Sequence, residues 1–361
     1  MRSRSSEAAK NLRELMDRIR ESAVPMNIME VCGTHTMAIA ASGLKRMLPE
    51  GVRLISGPGC PVCVTPPQTI DAMLSLTDRK DVILATYGDM IKVPGSRRGD
   101  NLAARRATGA RVEIVYSPLD ALQIAEENPQ KEVVFLGVGF ETTAPGTAAA
   151  VKAARETGVG NFSVFSTLKT VEPALRALIA SPGFNIQGFL CPGHVATIIG
   201  ERGFRFLSQE FGLPSVISGF EPEDILVSVY RLLRQKGENA PRLENEYTRA
   251  VAPEGNPLAL EMIREVLEPR DDPWRGLGKI PGSGLGIREE FAPWDAQRKF
   301  GIEISDEEIR TPCRCGEIIQ GRMGPTDCPL FGTVCVPEDP VGPCMVSSEG
   351  ACAAAYKYQE V

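Results

Sequence analysis

The sequence predicts an α/β protein: two similar parallel-sheet α/β lobes about a pseudo-twofold, followed by a loop-rich domain dense in cysteine. Three observations predict it. Short apolar strands alternate with helical runs from about residue 26 to 235, the pattern of parallel α/β sheet. Strand-end motifs recur within that stretch. Six of the chain's ten cysteines then crowd into its last 50 residues.

Taken in order, residues 1–25 open with "MRSRSSEAAKNLRELMDRIRE", a charged amphipathic helix without the apolar core of a signal peptide. Strands are expected at "NIMEV", "VRLIS", "DVILAT", "RVEIVY", "EVVFLGV", "FSVFST", "IQGFL" and "PSVIS". Helices are expected at "PPQTIDAMLSLT", "SPLDALQIAEEN", "EPALRALIAS" and "EPEDILVSVYRLLRQK". Residues 82–95, "VILATYGDMIKVPG", align without gaps on 133–146, "VVFLGVGFETTAPG". "LISGPGCPVC" shares Ile-Ser-Gly with "VISGFEPEDI", and the only two histidines sit in two C-x-x-H motifs, Cys32/His35 and Cys191/His194. These pairs divide the region into lobes 26–118 and 119–236. The motifs fall at carboxyl ends of strands, where α/β sheets carry function, so the second copies should line the opposite wall of an interlobe cleft. Residues 237–361 form the third unit: a linker, a helix at "LALEMIREVLE", a Gly-, Pro- and Trp-containing stretch, and the cysteine-rich tail.

Composition narrows the function. With 43% apolar residues the chain can build real cores, and a net charge of −6 disfavours electrostatic binding of nucleic acid. No apolar run approaches the roughly 18 residues of a membrane span, so a cytoplasmic chain is expected. In that reducing compartment ten cysteines point to metal ligands or redox thiols.

The tail reads "CRCGEIIQGRMGPTDCPLFGTVCVPEDPVGPCMVSSEGAC". Four thiolates suit a [4Fe–4S] cluster or zinc. Paired C-x2–4-C zinc knuckles are absent and the wide spacings favour the iron–sulfur cubane, which leaves two cysteines for a redox pair. "GPGCPVC" offers a reversible dithiol, Cys60 and Cys63, at a helix start that lowers thiol pKa; the alternative is half a zinc site or two inert thiols. Cys32 ends a strand where a helix dipole would favour its thiolate, with His35 on the same face. That pair suits a soft metal or a nucleophile, against a buried Cys and a capping Thr. Glu141 in "GFETT" could be an acid/base group, or the threonines could simply cap a helix. Asp89 and Lys92 occupy the duplicate loop, and His194 accompanies Cys191.

Together "MEVCGTHTMAI", "SGPGCPVCVTP", "GFETTAP", "CPGHV" and the tail through "CMVSSEGACAA" resemble the hydrogenase maturation factor HypD family. The resemblance spans nearly the whole chain. It implies two similar α/β domains and a third carrying a [4Fe–4S] cluster. It also implies a redox-active scaffold which, with the partner HypC, assembles the Fe(CN)2CO unit of [NiFe]-hydrogenase, cyanide coming from HypE. Cys32 is then the transient iron ligand, with His35, His194 and Glu141 positioning ligands or moving protons. The family pattern picks Cys313, Cys328, Cys335 and Cys352 as cluster ligands, leaving Cys315 and Cys344 as a disulfide beside the cluster. In an extended segment Cys313 and Cys315 point to opposite faces, which is compatible with that choice; exchanging Cys313 for Cys315 remains the competing set. The rival function is an iron–sulfur-dependent thiol–disulfide oxidoreductase acting on a protein partner, and a zinc-stabilised binding module is a third.

Overall fold

A computed structural model describes residues 2–307 and 309–358, with side chains from residue 12 onward. It contains two sheets. The first has the order β2-β1-β7-β8-β9 and is wholly parallel: β1 Met26–Glu30, β2 Val52–Ser56, β7 Gly188–Pro192, β8 Ser215–Ser218 and β9 Leu243–Asn245. The second has the order β10-β11-β6-β5-β3-β4: β3 Val82–Thr86, β4 Arg111–Ile114, β5 Glu132–Gly139, β6 Phe162–Lys169, β10 Leu267–Trp274 and β11 Gly278–Ile287. Its strands β3 to β6 are parallel, and β10–β11 is an antiparallel hairpin added at the β6 edge.

Local sequence explains the elements. Strand β3 and all but the first residue of β5 are buried, and β6 is buried throughout, as expected of parallel strands covered on both faces. Helix Pro118–Glu127 begins with Pro at its first turn and a Ser117–Asp120 capping box. Helix Gly33–Ser42 ends at Gly43, whose φ of 65° is the left-handed cap that glycine accepts most readily. The N-terminal helix Arg2–Glu21 buries Met16 and Ile19 in the same cluster as Leu226, Val229 and Leu233 of helix Pro222–Gly237. Beneath β6, the buried Lys169 ammonium is paired with Asp272, donates to the Pro273 carbonyl at 2.8 Å and lies 5.0 Å from the Trp274 ring.

The topology corrects the expected lobes 26–118 and 119–236. The chain builds β1 and β2, leaves to build β3 to β6, then returns with β7 to β9 to complete the first sheet. Two of the repeated motif pairs therefore lie on neighbouring strands of one sheet, not on opposite walls, while the Ile-Ser-Gly pair ends β2 and β8, which flank β1 and β7 in the first sheet. Residues 82–95 and 133–146 start on the paired strands β3 and β5, and the two C-x-x-H motifs follow the paired strands β1 and β7. Both pairs mark a reversal of winding. From β1 the chain steps outward to β2, whereas from β7 it steps the other way to β8. The β3–β4 and β5–β6 units diverge in the same manner. Loops diverging at such a switch point open a crevice at the carboxyl ends of the strands.

The expected third unit, 237–361, is also redistributed. β9 joins the first sheet, and β10 and β11 join the second. The hairpin tolerates Pro269 and Pro273 because β10 is an edge strand, and Pro281 because β11 pairs with β6 only at Gly284 and Leu285. The part beyond about residue 300 is irregular, with the short helix Cys315–Ile318, 3-10 turns at Pro325–Asp327 and Pro343–Met345, and the final helix Ala351–Tyr358. Among the described residues no helix is long and apolar enough to cross a membrane.

Candidate functional site

Cys32 occupies the N-cap of helix Gly33–Ser42 in extended backbone, at the switch point of the first sheet. It is 8% exposed. A Cβ on Gly59 would stand 2.2 Å from the Cys32 nitrogen, so glycine is needed for the two strand-end loops to meet. The helix start does not make Cys32 a resting thiolate, as the sequence suggested. Burial, reinforced by the charge of Glu349, pushes the thiol up to about 12, and the N–H groups of His35 and Thr34 only partly oppose this. Two carboxyls flank it. Glu30 accepts from the Thr36 hydroxyl at 2.6 Å and from the Cys32 N–H at 3.4 Å, and burial raises it to about 8. Glu349 accepts from the Thr34 hydroxyl at 2.9 Å and is raised chiefly by burial. Sequence reasoning missed both acids. Glu30 looks like one more residue of a strand, and Glu349 is overshadowed by the cysteines of the tail.

The histidines brace the crevice. His35 is fully buried, its Nε2 donates to the Gly219 carbonyl at 2.9 Å, and its Nδ1 has no partner. Burial lowers it to about 4, so it stays neutral at ordinary pH. His194 is exposed. The two rings sandwich Phe220 at 4.6 and 3.9 Å, which explains the duplicated C-x-x-H pattern as a stacked support across β1 and β7. Cys191 is buried and its thiol is pushed up by desolvation.

Cys60 and Cys63 are joined by a disulfide at the start of helix Pro61–Val64, 5% and 1% exposed. The Cys60 sulfur lies 3.4 Å from the Ser347 hydroxyl. Ser347 donates to Asp89 at 3.1 Å, and Ser348 donates through its N–H at 3.0 Å and its hydroxyl at 2.8 Å. Residues 343–350 thus form a strap from the cysteine-rich tail. It is tied to the β3 loop by Asp89, to the Cys32 loop by Glu349, and packed on the disulfide. Lys92 is exposed. Glu141 accepts the Val171 N–H at 2.8 Å, capping helix Val171–Ile179; its Oε2 is buried without a partner, and burial raises the acid to about 7. No described hydrogen bond links Glu141 to Cys32.

In the tail, Cys313, Cys315, Cys328, Cys335 and Cys352 line one apolar cavity of about 20 Å³. Cys344 is buried against Cys315 and Cys352, whose hydrogen bonds raise its thiol and lower that of Cys352. The expected opposite orientation of Cys313 and Cys315 is not found: their sulfurs are 3.0 Å apart. Arg314 has φ −99° and ψ 17°, so the segment turns into helix Cys315–Ile318 instead of extending. Cys315 and Cys344 are free thiols in hydrogen-bond contact, not the expected disulfide.

The donor chemistry fits an iron–sulfur cluster. Five thiols face one apolar void, and a Cβ on Gly342 would fall 2.0 Å from the Cys313 sulfur and 3.1 Å from that of Cys315. Among the described residues no three His, Cys, Asp or Glu side chains are grouped to hold a single ion. The void of about 20 Å³ is smaller than a four-iron cube, so the thiols would have to part to admit one. Cys313, Cys328, Cys335 and Cys352 all line the void, as does Cys315.

A family model labelled HypD, described as the hydrogenase formation hypA family, matches residues 7–359. The chain is 47% identical to hydrogenase maturation factor HypD2 of Bradyrhizobium diazoefficiens, covering 92% of this chain and 90% of that protein. It is 47% identical to HypD of Cupriavidus necator over 92% and 89% of the two chains. It is 43% identical to HypD of Escherichia coli over 98% and 96%. The chain therefore belongs to the HypD family of hydrogenase maturation factors.

Proposed function

We propose that this maturation factor is the cytoplasmic, redox-active scaffold on which, with HypC, the Fe(CN)2CO unit of [NiFe]-hydrogenase is assembled, cyanide arriving from HypE. The observation that carries the reading is the strap. Residues 343–350 bring the cysteine-rich tail onto both the Cys32 loop and the Cys60–Cys63 disulfide.

Cys32 is the iron anchor. Low-spin iron carrying cyanide and carbon monoxide favours soft thiolate donors. Because the resting thiol is held protonated by burial, iron capture must release its proton. Glu349, a half-buried carboxyl held by the Thr34 hydroxyl, is the acceptor at hand, whereas Glu30, raised to about 8 by burial, already carries its proton at neutral pH. A [4Fe–4S] cluster held by Cys313, Cys328, Cys335 and Cys352 would supply one-electron transfer. Reduction of Cys60–Cys63 by an external reductant takes two electrons and two protons and leaves two thiols under the strap. Cys315 and Cys344, free thiols in contact, are a second pair that a partner's disulfide would close by exchange, taking up their two electrons and two protons and leaving as two thiols.

The rival reading, a reductase for a partner protein's disulfide, is disfavoured by burial. At 5% and 1% exposure beneath the strap, Cys60 and Cys63 are covered against an incoming protein thiol, which is bulkier than a small-molecule reductant.

Anaerobic isolation with and without HypC, followed by iron and sulfide analysis and infrared spectroscopy, tests the proposal. The scaffold should carry iron and sulfide in both preparations and show cyanide and carbonyl bands when HypC is present. Turnover of a disulfide substrate without such bands would favour the reductase.

A further inference from the structure

The hairpin β10–β11 reaches between two redox groups. At its turn, Arg275 is only 8% exposed. Its backbone N–H donates to the Val64 carbonyl at 2.8 Å. Its Nε and Nη2 both donate to the Thr65 carbonyl, at 3.1 and 2.9 Å. Val64 ends the disulfide helix Pro61–Val64 and Thr65 is its C-cap, where a cation is favoured. The next residue, Gly276, has φ +76°, and its Cβ would stand 2.5 Å from Cα of Gly316, directly after Cys315. Gln320 clasps both backbones, donating to the Gly276 carbonyl at 2.7 Å and the Gly316 carbonyl at 2.8 Å. Arg275 and Cys313 line the same pocket, of about 320 Å³.

One buried guanidinium therefore grips the disulfide helix while its hairpin is locked against the helix that carries Cys315. Nothing in the proposed scaffold chemistry uses it. We infer that Arg275 is a positioning residue shared by the two redox groups: it anchors the helix bearing Cys60–Cys63 and supplies the fixed positive charge that sets how readily the tail centre accepts an electron. The inference rests on the cluster reading above. Adding an electron to a thiolate-bound cluster increases its negative charge, so a cation held in low dielectric favours the reduced form. Arg can serve both roles because its planar fork donates two bonds to one carbonyl while remaining charged.

The test compares wild type, Arg275→Gln, Arg275→Lys and Arg275→His as full-length protein, anaerobically. Iron and sulfide content is measured first, then the cluster midpoint potential by spectroelectrochemical titration, then the rate at which dithiothreitol opens Cys60–Cys63. Arg275→Gln should keep its iron and sulfide but shift the potential negative. Arg275→Lys keeps the charge and loses the paired hydrogen bond, so its potential should stay near wild type while its disulfide opens several-fold faster. Arg275→His should show a potential that rises from pH 8 to pH 6 by more than in wild type. This variant also decides the matter should the Gln protein fail to fold. Equal potentials in wild type and Arg275→Gln at equal iron content would overturn the inference. So would equal shifts in the Lys and Gln variants, which would mark a purely structural brace. Wild type devoid of iron and sulfide would overturn the cluster reading and the inference together, and is recognised before any variant is compared.

Discussion

Gly33→Ala should unlatch the strap from Cys32. The added Cβ would stand 2.3 Å from the Glu349 Cβ and 2.9 Å from both the Glu349 carbonyl oxygen and Oε2. Carbon atoms prefer separations of roughly 3.5–4.0 Å, so Glu349 must retreat by more than about 1 Å. It cannot do so freely. Ser348 is held to Asp89, Gly350 donates to the Ser347 carbonyl at 2.9 Å, and a Cβ on Gly350 would meet the Cys344 carbonyl at 2.1 Å. Overpacking of this kind costs about 1–3 kcal/mol, a shift of about 5- to 160-fold toward the open strap if the strain is released there. The assay is native alkylation by N-ethylmaleimide, read by peptide mass spectrometry. Where opening is fast relative to alkylation, the rate at Cys32 should rise by that factor. Cys191, fully buried on the neighbouring strand, is the internal control. An unchanged Cys32 rate would refute the reasoning, and an equal rise at Cys191 would show general loosening instead.

Three further outcomes are expected. Asp272→Ala leaves the 1%-exposed Lys169 ammonium unpaired, so urea unfolding should show a loss of about 3–5 kcal/mol, and a loss below about 1 kcal/mol would contradict that account. Glu141 is raised from its ordinary 4.5 to about 7, so the folded chain binds a proton that the unfolded chain releases between those values, and stability falls as pH rises through that window. From pH 5 to pH 8 wild type should lose on the order of 2 kcal/mol relative to Glu141→Gln; parallel pH profiles would reject it. Gly342→Ala keeps every cysteine but drives a methyl group against the Cys313 sulfur, so iron and sulfide content should drop sharply, and full content would remove the tail cavity as the cluster site.

Much of the fold was legible locally. "VRLIS" coincides with β2, and "EVVFLGV" and "FSVFST" fall within β5 and β6, because short apolar runs between turn signals suit covered parallel strands. Pairing was not legible. Parallel strands buried on both faces look alike in sequence, so nothing in "IQGFL" shows that β7 lies against β1, 160 residues earlier. The hairpin 267–287 was hidden by Pro269, Pro273 and Pro281, which read as loop unless an edge position is known. At the site, cysteines announced themselves by type and spacing. Glu30 and Glu349 did not, because a carboxylate is a common surface residue and only burial against a thiol makes it significant. The Cys313–Cys315 arrangement depended on the backbone of Arg314, where a turn replaces an extended segment.

The buried thiol of Cys32, and not the tail, is the proposed holder of the iron cargo. Infrared and visible spectra of Cys32→Ala, isolated anaerobically with HypC, test it most directly. The cyanide and carbonyl bands should vanish while absorption near ~400 nm and the sulfide content match wild type. Bands of undiminished intensity in the Cys32→Ala protein would contradict it.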